Sequence, residues 1–235
     1  MRVLLGADGD PAQSRDQSSD QSSAQSIARL YAAPDQPWLR VNMVSTVDGA
    51  ATGEDGTSRS INNGVDKQVF DVLREMSDAV VVGAGTVRVE GYAVGRKPLV
   101  VVSRTGSVPP TQREAGRGKV LMATVSTAPY LEEARRILGN ENVLVLGSHR
   151  VDLGRLKDEL VLRGFRHLLS EGGPHLLRDL LDQGVADEID ATVVPRILGG
   201  SHIRITDGPP LDVPLRLNTL IEEEGTLLAR WFVDR

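Results

Sequence analysis

Hydrophobic residues along this chain are grouped in short runs that alternate with amphipathic segments. Apolar runs at residues 79–82 and 99–103 are typical of strands that are buried on both faces of a parallel sheet. Between residues 65 and 76, apolar side chains repeat at helical spacing and predict an amphipathic helix. The alternation of strands and helices predicts an α/β fold with a mostly parallel central sheet and helices on both faces.

The same pattern predicts the remaining elements. Further strands are predicted at residues 38–46, 119–123, 142–146, 167–170, 188–194 and 225–232. Further helices are predicted at residues 129–138 and 153–162, and directly after Gly173. Because the final strands follow one another without an intervening helix, we expect antiparallel strands at the C-terminal edge of the sheet.

The first 26 residues differ in composition from the rest of the chain. Residues 8–26 are mainly Asp, Gln, Ser and Ala, with almost nothing to bury, which is typical of a solvated linker. Ile27, Leu30 and Tyr31 then share one helical face, and Pro34 is expected to end this short helix. We therefore predict an N-terminal segment with a polar linker at residues 1–26 and a single domain at residues 27–235.

Composition and charge limit the possible functions. The chain has 235 residues, of which 40% are hydrophobic and 25% charged, as in soluble globular proteins. A net charge of −5 argues against general binding to nucleic acid or to an anionic membrane. The absence of cysteine excludes disulfides and thiolate zinc sites, and the four histidines lack metal-binding spacing, so we expect no metal. No apolar run has the length of a signal or membrane segment, so we expect a cytoplasmic protein.

Three predicted strands end in glycine and polar residues, at positions 45–49, 82–86 and 170–173. Ligands bind at the carboxyl ends of parallel strands, so these three ends could form one crevice. At the third end, Glu171 is followed by two glycines and by Pro174, which opens a helix; this arrangement suits an anion at the helix N-terminus. Residues 83–88 do not fit the dinucleotide-binding fingerprint, because they lack its third glycine and no clear long helix follows them.

Two carboxylates and one arginine are candidates for chemistry. Asp48 and Glu171 are placed for proton transfer or for binding the N–H groups of a heterocycle, although each could equally be a turn or capping carboxylate. Arg74 lies on the helix predicted at residues 65–76, where it either binds an anion or is a solvated helix residue.

Five motifs, in chain order, carry a resemblance to a known family. They are residues 45–49, the Gly-Thr-Ser of residues 56–58 with Leu73-Arg74, residues 78–87, residues 170–174, and residues 185–188 with Pro195 and Leu198-Gly199-Gly200. From about Trp38 to the C-terminus, the chain resembles the C-terminal reductase domain of the bifunctional riboflavin deaminase–reductase and is closest to its stand-alone actinobacterial members. The resemblance implies a dihydrofolate-reductase-like fold.

The resemblance also implies a reaction and a set of site residues. The expected reaction is hydride transfer from NADPH to a ribosylamino-uracil phosphate, which opens the ribose to a ribityl chain. Substrate contacts are implied for Ser58, Arg74 and Glu171. Cofactor contacts are implied for Ser60, Thr86, Glu90, Ser103 and the run Gly173, Pro174, His175, Leu176, Leu177, Arg178 and Asp179. We add Gly85 and Gly172 as glycines of the same strand ends, and Arg104 as a candidate for the cofactor 2′-phosphate, with a plain β-turn at residues 103–104 as the alternative.

Two departures from the family leave alternatives open. The family continues after its Gly-Thr-Val stretch with Asp-Asp-Pro and then Leu, Thr and Arg, whereas residues 88–92 of this chain are Arg-Val-Glu-Gly-Tyr. The zinc-dependent deaminase domain is also absent, so a riboflavin role would be that of a reductase alone. A folate or pterin reductase and a catalytically silent nucleotide-binding protein remain alternatives.

A homodimer is the expected assembly. Trp231 and Phe232 are adjacent in the last predicted strand, so they point to opposite faces, and one would lack cover in a monomer. A two-fold interface through the C-terminal strands would cover it, and the resembling family is dimeric. The alternative is that a helix of the same chain covers that face.

Overall fold

The computed structural model describes residues 1–5, 20–115 and 118–234. A ten-stranded sheet runs through the centre, in the order β1-β9-β10-β8-β2-β7-β3-β4-β5-β6. The strands are β1 (Arg2–Leu5), β2 (Trp38–Thr46), β3 (Ala79–Gly83), β4 (Leu99–Val102), β5 (Val120–Thr124), β6 (Val143–Val145), β7 (His167–Ser170), β8 (Glu188–Val194), β9 (Leu215–Glu223) and β10 (Thr226–Val233). The helices are α1 (Asp20–Leu30), α2 (Gly64–Met76), α3 (Ala84–Glu90), α4 (Pro110–Arg113), α5 (Leu131–Leu138), α6 (Leu153–Leu162) and α7 (Pro174–Asp182).

The sheet has the predicted parallel body and antiparallel edge. Strands β8, β2, β7, β3, β4, β5 and β6 are parallel neighbours. Beyond β8, the pairs β8–β10, β10–β9 and β9–β1 are all antiparallel. The α/β fold class predicted from the hydrophobic pattern is therefore confirmed.

Helices cover both faces of the sheet, as the uninterrupted apolar strands require. In β3, Val81 packs with the buried leucines of α6 and α7, whereas Val80 and Val82 pack on the other face with residues of α3 and α5. On that second face, α1 and α2 bury Ile27 and Leu73 against β7, β9 and β10. The core is mostly aliphatic on both sides, with Tyr31 buried on the α1 and α2 side.

The N-terminal part differs from the prediction. Helix α1 begins at Asp20, so the predicted boundary after residue 26 falls inside a helix. Residues 8–19 of the predicted linker lie outside the described residues. Strand β1 was not predicted, and it pairs with β9 in a register that places Arg2 opposite Glu222. A four-residue strand whose partner is more than 200 residues away leaves no local signal.

The expectation that β10 lies at an edge with an uncovered aromatic side chain is wrong. Strand β10 lies between β8 and β9, so Trp231 faces Ile189 on one neighbour and Leu217 on the other. Trp231 packs against the core on the α6 and α7 side. Phe232 meets the ring of Trp38 edge-on at 5.7 Å between centroids. Both rings therefore have neighbours within the chain, because the unpredicted β9 continues the sheet.

None of the described helices is long and apolar enough to cross a membrane.

Candidate active site

Strands β2, β7 and β3 are neighbours in the sheet and border a cleft of about 500 Å³. The ends of β3 and β7 line it directly, while β2 contributes Asn42, Met43 and Val44 rather than the predicted residues 45–49. Of the residues predicted from the sequence, eight line the cleft: Ser58, Gly85, Thr86, Glu90, Glu171, Gly173, Pro174 and His175. Two of the three predicted strand ends thus meet in one site.

Two strand-to-helix turns border the cleft, and we call their backbone the glycine wall (Gly83, Gly85, Thr86, Gly172 and Gly173). Gly85, Thr86 and Gly173 line the cleft directly. The N–H of Gly83 donates to the carbonyl of Gly172 at 2.9 Å, which joins the two turns. Gly172 has φ 80°, and a Cβ there would lie 2.8 Å from Sδ of Met43. A Cβ on Gly173 would overlap the Thr86 hydroxyl. Gly172 therefore requires glycine, whereas a Cβ at Gly173 would require the Thr86 side chain to move.

Three side chains from distant parts of the chain form the charged cluster (Arg74, Tyr92 and Glu171). Arg74 donates from Nε and Nη2 to the two oxygens of Glu171 at 2.5 and 2.6 Å. The hydroxyl of Tyr92 donates to Oε2 of the same carboxylate at 2.7 Å. Glu171 is buried, whereas the Arg74 side chain is 41% exposed. Two of the predicted substrate contacts thus bond to each other, and Arg74 is more than a solvated helix residue.

The electrostatics of the charged cluster follow from these bonds. Burial and the neighbouring Glu171 charge raise the pKa of the Tyr92 phenol, so Tyr92 stays a hydrogen-bond donor. The hydrogen bonds to Glu171 raise the pKa of Arg74. The Arg74 guanidinium also lies 4.5 Å from the ring centroid of Phe70, which limits its position further.

A second depression, of about 660 Å³, adjoins the cleft. The two share Ser58, Asn62, Phe70, Glu90 and Tyr92 in their linings. Arg59, Lys67 and Arg74 line the depression, together with the first residue of α2. We call it the basic depression, because three cations and a helix N-terminus line it; Arg59 pairs with Glu90, Lys67 with Asp71 and Arg74 with Glu171.

Two of the predicted residues belong to the loop before α2. Glu90 accepts the backbone N–H of Ser58 at 2.7 Å and so anchors this loop to the end of α3. The Ser60 hydroxyl lies 2.7 Å from an Asp55 carboxylate oxygen and 2.9 Å from the carbonyl oxygen of Thr57, so these two acceptors share its one proton. Ser60 is absent from the cleft lining, so the geometry gives it a loop-forming role.

Asp48 also stands outside the cleft lining. It accepts hydrogen bonds from the Thr46 hydroxyl at 2.5 Å and from the backbone N–H groups of Leu198 and Gly199 at 3.1 and 2.7 Å. The Thr46 hydrogen bond, followed by that of Gly199, lowers the pKa of Asp48. This geometry favours a turn carboxylate over the predicted catalytic one, because its oxygens hold two loops together.

The remaining predicted residues lie around the cleft. Ser103 is buried at the end of β4, where its hydroxyl meets that of Thr105 at 3.3 Å, and Arg104 beside it is exposed. Leu176 and Leu177 are core residues of α7, so only their backbone can face a ligand. Arg178 and Asp179 pair with each other at 3.1 Å on the outer side of that helix.

The sequence reasoning missed Asp66 and Tyr92. Asp66 is 2% exposed, lines the cleft and accepts hydrogen bonds from the side chains of Thr192 and Asn62. Burial raises the pKa of Asp66, and these two hydrogen bonds oppose that shift. In the sequence, Asp66 resembles an acidic residue that favours a helix start, three positions after the Asn63 cap. Tyr92 follows Gly91 in the stretch that departs from the family, which is the one signal that could have singled it out.

Comparison with known proteins gives the family. A model of the RibD C-terminal domain matches residues 37–224. The 2,5-diamino-6-ribosylamino-4(3H)-pyrimidinone 5′-phosphate reductase of Archaeoglobus fulgidus is 32% identical over 183 residues, which cover 70% of this chain and 83% of that protein. This chain belongs to the RibD C-terminal domain family. The resemblance noted in the sequence is thereby confirmed.

Two further likenesses concern length and fold. The riboflavin biosynthesis protein RibD of Chlamydia trachomatis is 30% identical over 205 residues, which cover 80% of this chain and 52% of RibD. The chain therefore spans about half of that protein. The crystal structure of a pyrimidine reductase-like protein from Corynebacterium diphtheriae has a TM-score of 0.74 at 21% identity, and the match covers 89% of this chain and 98% of that one. It confirms the predicted fold.

Proposed function

We propose that this protein is an NADPH-dependent reductase that acts on a ribosylamino-pyrimidine phosphate of riboflavin synthesis. The observation that carries the proposal is the joining of three features at one sheet edge. They are the glycine wall, the charged cluster and the basic depression. The family supports the same reaction, since the relative from Archaeoglobus fulgidus is named as a reductase of such a phosphate.

The glycine wall supports the cofactor part of this proposal. Gly172 packs against Met43 and Gly173 against Thr86 so closely that neither position admits a side chain, and this close packing fixes the main chain beside the cleft. The N-terminus of α7 points its free N–H groups and partial positive charge at the same place, as a pyrophosphate requires. Gly85, Thr86, Gly173 and His175 would hold the cofactor there. When bound, NADPH supplies the hydride.

The basic depression and the charged cluster support the substrate part. Arg59, Lys67 and Arg74 can receive a phosphate. They would take the place of the Leu, Thr and Arg that the family has and this chain lacks. Glu171 holds Arg74 by two hydrogen bonds, so Arg74 meets the substrate with its guanidinium already oriented. We therefore assign Glu171 an orienting role in addition to the predicted contact with substrate.

The decisive experiment follows NADPH oxidation with the purified protein. We expect turnover with a ribosylamino-pyrimidine phosphate and little or none with dihydrofolate. Turnover with dihydrofolate alone would make the protein a folate reductase, and NADPH binding without any turnover would favour the silent nucleotide-binding alternative. Equal affinity for NADH in a fluorescence titration would contradict NADPH. An unchanged preference in Arg104→Ala would remove Arg104 from the 2′-phosphate site.

We also propose a homodimer in the cytoplasm, with an interface that differs from the one expected from Trp231 and Phe232. Within the described residues, β1 pairs only with residues 220–222 of β9, and Leu215 at the start of that edge strand is 40% exposed. An unpaired strand edge beside an exposed leucine can receive a second copy. Sedimentation tests this proposal: a species with the mass of one chain at micromolar concentration would contradict it, and a dimer that survives Leu215→Arg would contradict the interface.

A further inference from the structure

We propose that Asp66 is a specificity-determining residue that makes the cleft prefer a pyrimidine ring with a 2-amino group over the 2-oxo ring of a uracil. This inference rests on the proposed function, because it concerns the base of the substrate. It also replaces the uracil that the resemblance implied with a 2-amino-4-oxopyrimidine ring.

The position of Asp66 is unusual for a helix-start carboxylate. Asn63 caps α2 by accepting the Asp66 backbone N–H at 3.0 Å, so the cap leaves the Asp66 side chain unused. Acidic residues in a first helical turn are normally solvated, but Asp66 is 98% buried and forms part of the cleft lining. A buried carboxylate facing a ligand cleft requires hydrogen-bond donors.

The protein supplies only part of those donors. Asp66 accepts hydrogen bonds from the side chains of Thr192 and Asn62. Its Oδ1, however, has no hydrogen-bond partner within the described part of the chain. The Asn62 side-chain oxygen beside it is likewise buried and without a partner there. Oδ1 of Asp66 and the side-chain oxygen of Asn62 are thus two acceptor atoms in the cleft lining that can each accept a further hydrogen bond.

The chemistry of the ring edge selects the ligand. A carboxylate accepts hydrogen bonds at both oxygens and matches two parallel N–H donors. A 2-amino-4-oxopyrimidine presents such a pair, the N3–H and the 2-amino group. A uracil presents N3–H beside the O2 carbonyl, and this carbonyl would face an acceptor. Asp66 therefore attracts the edge of the 2-amino-4-oxopyrimidine and repels the O2 carbonyl at the edge of the uracil.

The neighbourhood of Asp66 suits a flat polar ring. Phe70 and Tyr92 supply aromatic surface in the same lining, and Asn42 supplies a further amide. Asn62 and Phe70 line both the cleft and the basic depression, so the cations of the depression adjoin the part of the cleft that holds Asp66. A phosphate in the depression and a base edge at Asp66 can thus belong to one substrate.

The experiment compares two substrates that differ only at C2. Wild-type protein is assayed for NADPH oxidation with 2,5-diamino-6-ribosylamino-4(3H)-pyrimidinone 5′-phosphate and with its 2-oxo counterpart. We expect kcat/KM to be at least about 100-fold higher for the 2-amino substrate, since sites built to hydrogen-bond a donor discriminate by orders of magnitude. Equal values, or a preference for the 2-oxo substrate, would overturn the proposal.

The variant Asp66→Asn sharpens the test. Its amide pairs an N–H donor with a carbonyl acceptor, which matches the uracil edge, so we expect the ratio to fall by about 100-fold or more, to parity or below. An unchanged ratio would overturn the proposal. Asp158→Asn, an exposed carboxylate on α6, is the matched control and should leave the ratio unchanged. NADPH affinity and the circular dichroism spectrum report whether Asp66→Asn is folded.

A binding measurement separates this inference from the proposed function. Calorimetry with 2,5,6-triamino-4-pyrimidinone and with 5,6-diaminouracil needs no turnover. Preference of the wild type for the 2-amino base, lost in Asp66→Asn, would support the inference even if neither phosphate is reduced. If the phosphates are reduced but neither base nor substrate is discriminated, the proposed function stands and the inference fails. Should Asp66→Asn not fold, the wild-type preference decides alone.

Discussion

The glycine wall and the charged cluster border the same cleft but are built in different ways. The glycine wall consists of main chain from two short turns, and its shape depends on which positions lack a Cβ. The charged cluster consists of side chains that lie 79 and 97 positions apart along the chain. The glycine wall is specified by residues that are neighbours in the sequence. The charged cluster exists only once α2, β7 and the residues after α3 have come together.

That difference decides how each part tolerates change. A backbone cradle has no side chain to shorten or move, so an added methyl group must displace either the ligand or a neighbour. A side-chain network can lose one member and keep part of its hydrogen bonding. We therefore expect substitutions in the glycine wall to act steeply and on the cofactor, and those in the charged cluster to act more gradually and on the substrate.

The largest effect is expected for Gly173→Ala. Gly173 has φ −74°, which alanine tolerates, and the new Cβ would overlap the Thr86 hydroxyl. We expect NADPH affinity to fall by about 30-fold, or about 2 kcal/mol, in a nicotinamide fluorescence titration. Gly154→Ala in α6, where the Cβ meets only ordinary contacts, is the matched control.

A double-mutant cycle tests whether the overlap is the cause. Thr86→Ala removes the hydroxyl that the new methyl group would meet. Against the Thr86→Ala background, Gly173→Ala should cost much less affinity than against the wild type. If the two effects simply add, the difference drawn between the two parts of the cleft fails on the cofactor side.

The next effect is expected for Glu171→Gln. The change leaves Arg74 without its counter-charge and alters the partner of the Tyr92 hydroxyl. Turnover should fall at least tenfold, which corresponds to about 1.4 kcal/mol or more, while NADPH affinity stays within about twofold. Steady-state kinetics and the fluorescence titration measure the two quantities separately.

Arg74→Ala serves as the partner variant for Glu171→Gln. If Arg74 holds the substrate phosphate, its removal should mainly raise KM. A loss of thermal stability with unchanged kinetics would instead return Arg74 to a structural role. A loss of NADPH affinity in either variant would show that the charged cluster and the glycine wall are one site rather than two.

The same distinction explains what the sequence could predict. The turn around Gly172 and Gly173 was recognisable because strand, glycines and Pro174 are consecutive, and the apolar runs of β3 and β4 predicted the sheet for the same reason. The bonding of Arg74 to Glu171 was not, since each residue alone is compatible with a solvated or capping role. Strands β1 and β9 were missed because they depend on each other, and the misplaced edge at Trp231 followed from that omission.

The smallest effect on turnover is expected for Asp48→Asn, which lies outside the cleft and so tests the distinction between the glycine wall and the charged cluster from outside both. The hydrogen bonds of Asp48 lower its pKa below the ordinary value of 3.8, so the stability it contributes is present above that value and is lost as the pH falls through the folded-state pKa. The difference in unfolding free energy between the wild type and Asp48→Asn should therefore be largest at about pH 7 and shrink towards about pH 3. Turnover should change by less than about twofold, since the carboxylate serves loops held by local hydrogen bonds. A tenfold loss of turnover at unchanged stability would restore Asp48 as a catalytic residue, and the charged cluster would then be incomplete without it.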